Sequence, residues 1–185
     1  MPKKKRAKEW PRPKGRVEAV ATTDPRLAEI LRGLITVDDE CYEPKHRNVA
    51  ALSQSEAARR ATGLVAAWDQ EGTCVGFLTY TPGSMAAEVT KVAVSPRARR
   101  GGFGRFMLWT AVNAAKAKGA SEVRLRVEST NQAAVKMYEQ QGFVVDTGRG
   151  VDGVSFDFYG PTRHALNMVV NVEGDNWVLP RVLGP

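Results

Sequence analysis

Apolar and polar positions alternate around Val17 and Val20, which predicts a first strand over 16–22. Thr23-Asp24-Pro25 then offers an N-cap followed by a proline suited to a first helical turn. Leu27, Ile30, Leu31 and Leu34 return at helical spacing and form one apolar face of that helix. Residues 38–49 show no period and read as a loop, and Ser53 with Glu56 three positions on matches a capping box for a second helix. Two short strands, 64–69 and 73–80, flank the turn residues Gln70-Glu71-Gly72 as a hairpin, and a further strand covers 87–94. A glycine-rich turn over 99–104 opens a helix that runs to about Lys118, where Gly119 suits the C-terminal cap. Val123, Leu125 and Val127 alternate with Arg124 and Arg126, the pattern of a strand with one buried face. A helix over 131–141 stops at Gly142, and a strand resumes at 143–145. A long loop spans 148–163 and a last strand 165–172.

This order is strand, two helices, three strands, helix, strand, helix, two strands, and it contains no internal repeat. It predicts an α/β (mixed α+β) domain: one mixed sheet with helices on both faces. Residues 17–172 form that domain, behind an arm (1–16) and ahead of a tail (173–185) whose Trp177 and Leu179 can pack back on the body.

The chain has 185 residues, 43% of them hydrophobic, enough for a single domain with a real core. No run of about eighteen apolar residues occurs, so no membrane partner is expected. The charged start, with no apolar stretch behind it, argues against a secretory signal. Cys41 and Cys74 lack metal-ligand spacing and are too few for a disulfide framework, which fits a cytoplasmic location. His46 and His164 stand alone and read as structural or surface residues, so no metal is expected.

The net charge of +7 is uneven. Residues 1–16 hold eight of the 27 Lys and Arg and one of the 20 acids, which leaves the rest of the chain neutral. With Pro2, Pro11 and Pro13 and no apolar period, the arm reads as flexible or extended. It suits nucleic acid, ribosomes or another acidic partner, Pro2-Lys-Lys-Lys-Arg6 looks like a short nuclear import signal, and a solubilising tail explains it equally well.

The turn over 99–104 carries the clearest chemistry. Gly101, Gly102 and Gly104 let the backbone approach an anion, the following helix adds unpaired N–H groups and its positive dipole end, and Arg97, Arg99, Arg100 and Arg105 strengthen the field. A pyrophosphate suits this place, but the spacing matches neither a Walker loop nor the dinucleotide fingerprint.

Two segments together resemble the landmarks of one family. Arg99-x-x-Gly102-x-Gly104, preceded by Val94-x-Pro96, resembles the acetyl-CoA loop of GNAT superfamily N-acetyltransferases. Downstream, Asn131, Tyr138 and Gly142-Phe143 resemble the family's second landmark, in the expected order, one helix and one strand later. The resemblance covers roughly 17–172, and it implies a mostly antiparallel sheet of about seven strands, splayed between strands 4 and 5. It implies acetyl-CoA as cosubstrate, pantetheine on the backbone of Val92 and Val94, and pyrophosphate on the amides of Arg99, Arg100, Gly101, Gly102, Phe103, Gly104 and Arg105. Asn131 would touch the cofactor arm, although it is a good N-cap without one. Tyr138 matches the acid that protonates the departing thiolate, and it also reads as a core tyrosine beside Met137.

The attacking amine needs a base. Glu88 is the candidate: six residues before Val94, it is expected on the same face of its strand, and the family's histone-acetylating branch resembles this segment. A solvated strand-end glutamate is the plainer reading. Val94 N–H is the expected oxyanion donor. The acceptor is expected among Tyr42, Glu43, Tyr80, Asp157, Phe158 and Tyr159, with Glu43 and Asp157 attracting a cationic amine. One position departs from the pattern: bacterial enzymes that acetylate ribosomal-protein N-termini carry glutamate where this chain has Arg126. The expected activity is transfer of acetyl from acetyl-CoA to a primary amine in a ternary complex, by a monomer or homodimer. A nucleic-acid-associated protein docked through the basic arm and a non-catalytic acyl-CoA sensor are the alternatives.

Overall fold

A computed structural model describes residues 11–173. The first ten residues and the tail with Trp177 and Leu179 lie outside that range. The elements are β1 (Gly15–Val20), α1 (Leu27–Cys41), α2 (Val49–Gln54), α3 (Glu56–Ala61), β2 (Gly63–Asp69), β3 (Cys74–Thr81), β4 (Ala86–Val94), α4 (Phe103–Ala117), β5 (Glu122–Glu128), α5 (Gln132–Gln140), β6 (Val144–Val145), β7 (Val154–Ser155) and β8 (Ala165–Asn171).

The strands form one eight-stranded sheet in the order β1-β2-β3-β4-β5-β8-β6, with β7 also paired to β8. Every pairing is antiparallel except β4 with β5. That parallel ladder joins Ala86–Val89 to Glu122–Leu125 and no further. Beyond it β4 continues to Val94 and β5 to Glu128, so the two strands part in the middle of the sheet.

Two apolar layers hold the sheet. On one face α4 and α5 pack Met107, Leu108, Val112 and Tyr138 against Leu78, Val89, Leu125 and Met168. On the other, α1 and α2 pack Leu34, Val37 and Val49 against Ala66, Phe77 and Ala93. A fully enclosed side chain such as Leu34 contributes about 1.5–3 kcal/mol through burial.

Three local readings change. Helix α1 runs through Asp38 to Cys41, where a loop was expected, because Asp38 is buried and finds partners outside its own helix. The capping serine of the next region is Ser55, whose side chain accepts from Ala58 N–H at the start of α3; Ser53 lies within α2. The long loop after β6 contains the two-residue strand β7, which raises the count from about seven strands to eight.

A fourth change bears on the site. Thr79 pairs with Lys91 and Tyr80 with Val89, so Thr90 is an extra residue in β4, a β-bulge. Its hydroxyl meets that of Thr79 at 2.8 Å.

Candidate functional site

The glycine turn sits where the sequence places it. After β4 the chain makes a short 3-10 turn, Pro96–Ala98, and enters α4 through Arg100 at φ 68° and Gly102 at φ 85°. The left-handed conformation at 102 is one that glycine adopts freely. It leaves the first N–H groups of α4 at an exposed loop. Gly104, the second residue of α4, lies at the junction of β4, α4 and α5: a Cβ there would rest 3.6 Å from Val94 Cγ2 and 3.5 Å from Met137 Sδ. Arg105 donates from Nη2 to Gln140 Oε1 at 3.1 Å, tying α4 to α5.

The edge of β4 beyond the ladder lies beside this turn. Val92 O accepts from the Tyr42 hydroxyl at 2.8 Å, and Val94 O accepts from Cys41 Sγ and Arg99 Nε, each at 3.3 Å. These bonds show that both carbonyls point away from β3, toward the gap. In an extended strand a residue's N–H points to the same side as its C=O, so the Val92 and Val94 amides face the gap too.

Tyr42 is held there by a group the sequence did not flag. Lys91, from β4, donates to Asp38 Oδ1 at 2.7 Å, His46 O at 2.6 Å and Asn48 Oδ1 at 3.1 Å, and its Nζ stands 4.2 Å from the centre of the Tyr42 ring. Asp38 Oδ2 accepts from the N–H groups of Asn48 and Val49, which fixes the start of α2. The signal was present only as an aspartate and a lysine 53 positions apart.

On α5, Asn131 is the N-cap and accepts from Ala134 N–H at 3.2 Å. Tyr138 is buried against Phe143, with ring centres 6.0 Å apart. Burial, with a smaller push from Tyr159, raises its phenol well above the ordinary value, so it stays protonated. Tyr42 is likewise raised, by burial first and then by Tyr138.

Glu88 is placed differently from the expectation. The extra residue Thr90 reverses the alternation, so Ala87 and Val89 share the α4 side with Val92 and Val94, and Glu88 projects from the opposite face. There its Oε1 lies 2.6 Å from Arg126 Nη1, and its Oε2 lies 3.8 Å from Arg149 Nη2. The Arg126 guanidinium stands 4.9 Å from the centre of the Phe158 ring.

The remaining acceptor candidates scatter. Tyr80 is enclosed in the core against Gly63, and Glu43 is exposed and paired with Lys45 at 3.1 Å. Asp157 shapes its own loop: it adopts φ 51° and accepts from Thr162 N–H at 2.7 Å. Tyr159 is partly buried, its ring edge-on to Phe158. The loop that carries these residues is fastened by Asn167, a buried β8 residue that the sequence did not flag. Asn167 Nδ2 donates to Gly153 O and Ser155 Oγ, each at 3.0 Å. Gly153, at φ 86°, comes so close to Val145 that a Cβ would collide with it.

Among the described residues, no helix is long and apolar enough to cross a membrane, and no three His, Cys, Asp or Glu gather as a metal site. A surface groove of about 460 Å³ between α1 and the β2–β3 hairpin, bordered by Arg16, Arg26, Arg32 and Trp68, contains none of these candidates.

Comparison with known proteins fits this geometry. The chain is 32% identical over 117 residues to a mycothiol acetyltransferase of Propionibacterium freudenreichii subsp. shermanii, an alignment of 57% of this chain and 38% of that protein. A mycothiol acetyltransferase of Actinosynnema mirum is 31% identical over 113 residues, 60% of this chain and 35% of the relative. The chain thus spans well under half the length of these curated relatives. Among solved structures, the Escherichia coli ribosomal-protein-S18-alanine N-acetyltransferase superposes with a TM-score of 0.67 at 21% identity, over 89% of this chain and 99% of that one. A putative streptothricin acetyltransferase from Bacillus anthracis, solved in complex with acetyl coenzyme A, superposes with a TM-score of 0.53 at 21% identity, over 61% of this chain and 64% of that one. At these identities both show the shared fold. The model of the acetyltransferase (GNAT) family matches residues 29–143, more than half of the sequence, and the chain belongs to that family.

Proposed function

We propose that the chain moves an acetyl group from acetyl-CoA to a primary amine, with both substrates bound together. The observation that carries this reading is the parting of β4 from β5 after Val89 and Leu125, directly beside the glycine turn that opens α4. Membership of the family and the acetyltransferase names of the relatives support it.

The residues present fit acetyl-CoA. Gly102 and the first amides of α4 suit its pyrophosphate, with Arg99, Arg100 and Arg105 around them. The outward backbone groups of Val92 and Val94 suit its amide-bearing arm, their carbonyls being held now by side-chain donors that can exchange. When bound, acetyl-CoA supplies the acetyl group as a thioester. Val94 N–H would donate to the carbonyl oxygen as negative charge develops there. Tyr138, kept protonated by burial, is the proton donor to the leaving sulfur. Glu88 takes a proton from the amine directly or through water, and it must first loosen its hold on Arg126. Asn131 caps α5 and so sets the direction in which Tyr138 points.

Thermal unfolding with and without acetyl-CoA tests the reading. At about 100 times Kd the ligand should add about 2.7 kcal/mol, a rise of about 5–10 °C for a chain of this size. Gly102→Val, which forces a β-branched residue to φ 85°, should abolish the rise. An unchanged midpoint for the native chain would overturn the proposal.

A further inference from the structure

We propose that the acceptor amine carries a carboxylate, which binds at Arg126 and Arg149 on the sheet face opposite α4; this rests on the acetyl-transfer reading and names its substrate class. Two guanidiniums flank the single carboxylate of Glu88, one toward each oxygen, at 2.6 and 3.8 Å. Arg124 faces Glu88 across the ladder, pairs with Glu122 and stands 4.0 Å from Asp146, so the wider group holds three arginines and three acids and is neutral overall. Glu128 is engaged separately, accepting from Arg163 at 2.7 and 2.9 Å.

The second observation concerns donors. Arg149 Nη1 is buried and has no hydrogen-bond acceptor among the described residues. A buried donor left in this state is costly, and an incoming anion relieves the cost. Guanidinium is planar and matches a carboxylate edge to edge, while its face stacks on an aromatic ring, as Arg126 does on Phe158.

The third observation is position. Arg126 is the first β5 residue beyond the ladder, across from the point where β4 turns away. A carboxylate held there keeps an amine a few bonds away near the mouth of the gap. This geometry fits an amino-acid-like acceptor, with amine and carboxylate on one small molecule.

The test pairs each of the ordinary free amino acids with its carboxamide, adds spermidine, and measures CoA release by the full chain supplied with acetyl-CoA. At least one free amino acid should exceed its amide by about 10- to 100-fold in kcat/KM, the range expected for loss of a charge-assisted hydrogen bond. Arg149→Gln and Arg126→Lys should each bring the acid-to-amide ratio of kcat/KM down toward one, whatever they do to the two rates together. The acid–amide comparison on the native chain stands even where a variant folds poorly. Amides or spermidine used as well as the acids overturn the proposal, as does a chain that binds acetyl-CoA and turns over no amino acid. Acetyl-CoA binding is read separately by thermal shift, and its absence overturns the acetyl-transfer reading from which this one follows.

Discussion

At the scale of single residues, Lys91 connects more of the site than any group named for chemistry. Its side chain is 8% exposed and that of Asp38 2% exposed, a degree of burial that charged side chains reach only when paired. The pair joins β4 to α1 and to the start of α2, and the same ammonium lies against the ring that places its hydroxyl on Val92 O. Lys91→Met leaves the Asp38 carboxylate buried without its counter-charge, an effect of about 3–5 kcal/mol. The midpoint of thermal unfolding should fall by about 6–20 °C. Adding Asp38→Leu should recover part of the loss, because the isolated charge disappears, but not all of it, because Asp38 also holds the Asn48 and Val49 amides. A calorimetric comparison of the two variants checks this, and a drop under 2 °C for the single change would contradict it.

At the scale of elements, what the sequence made legible was what local pattern controls. The alternation in β5, the helical face of α1 and the glycine at 102 report on neighbours a few positions away, and each appears where expected. Asp38 looked like loop because its polarity is answered by Lys91, a partner from a distant strand that no window on α1 contains. Glu88 was assigned to the wrong face because strict alternation was carried through Thr90, and a bulge leaves no mark in a run of alternating residues. Strand β6 falls within the strand expected at 143–145, while β7, two residues in a long loop, is defined by its pairing with β8. The glycine turn and helix α5 were readable from spacing as local structure, while the Arg126–Glu88–Arg149 group arises from three separate segments. Asn131 allows an element-level test. Asn131→Ala should cost about 1 kcal/mol of stability through the lost cap, and Asn131→Asp should keep it. Urea unfolding of both variants reads the difference, and equal stabilities would remove the capping role.

At the scale of the whole molecule, burial makes the chain sensitive to alkali. Cys74 is pushed up from 9.0 to about 11 by burial, and Cys41 moves in the same direction. Tyr42, Tyr80, Tyr138 and Tyr159 are all raised from 10.0 by burial first. These groups are neutral when protonated, and folding favours that form. Their contribution is therefore complete below the unfolded values of 9.0 and 10.0 and is lost as pH rises through the folded ones. Urea midpoints taken in steps of pH should show no effect of these groups between 7 and about 9, then a progressive decline. In the same range Cys74 should react with an alkylating reagent far more slowly than in the unfolded chain. A decline that begins below pH 8 would point to other groups.

The parting of β4 and β5 puts into the middle of the sheet the kind of uncommitted backbone that normally occurs only at its rim. Tyr42, Cys41 and Arg99 occupy the Val92 and Val94 carbonyls as stoppers, so a strand from another molecule finds those positions taken. The same stoppers make ligand entry a swap of partners. Each hydrogen bond that a visitor forms with these carbonyls replaces one already present, so the net gain on that edge is small. With the phosphates at Gly102, as proposed, analogues shortened at that end should lose far more affinity than analogues altered in the arm.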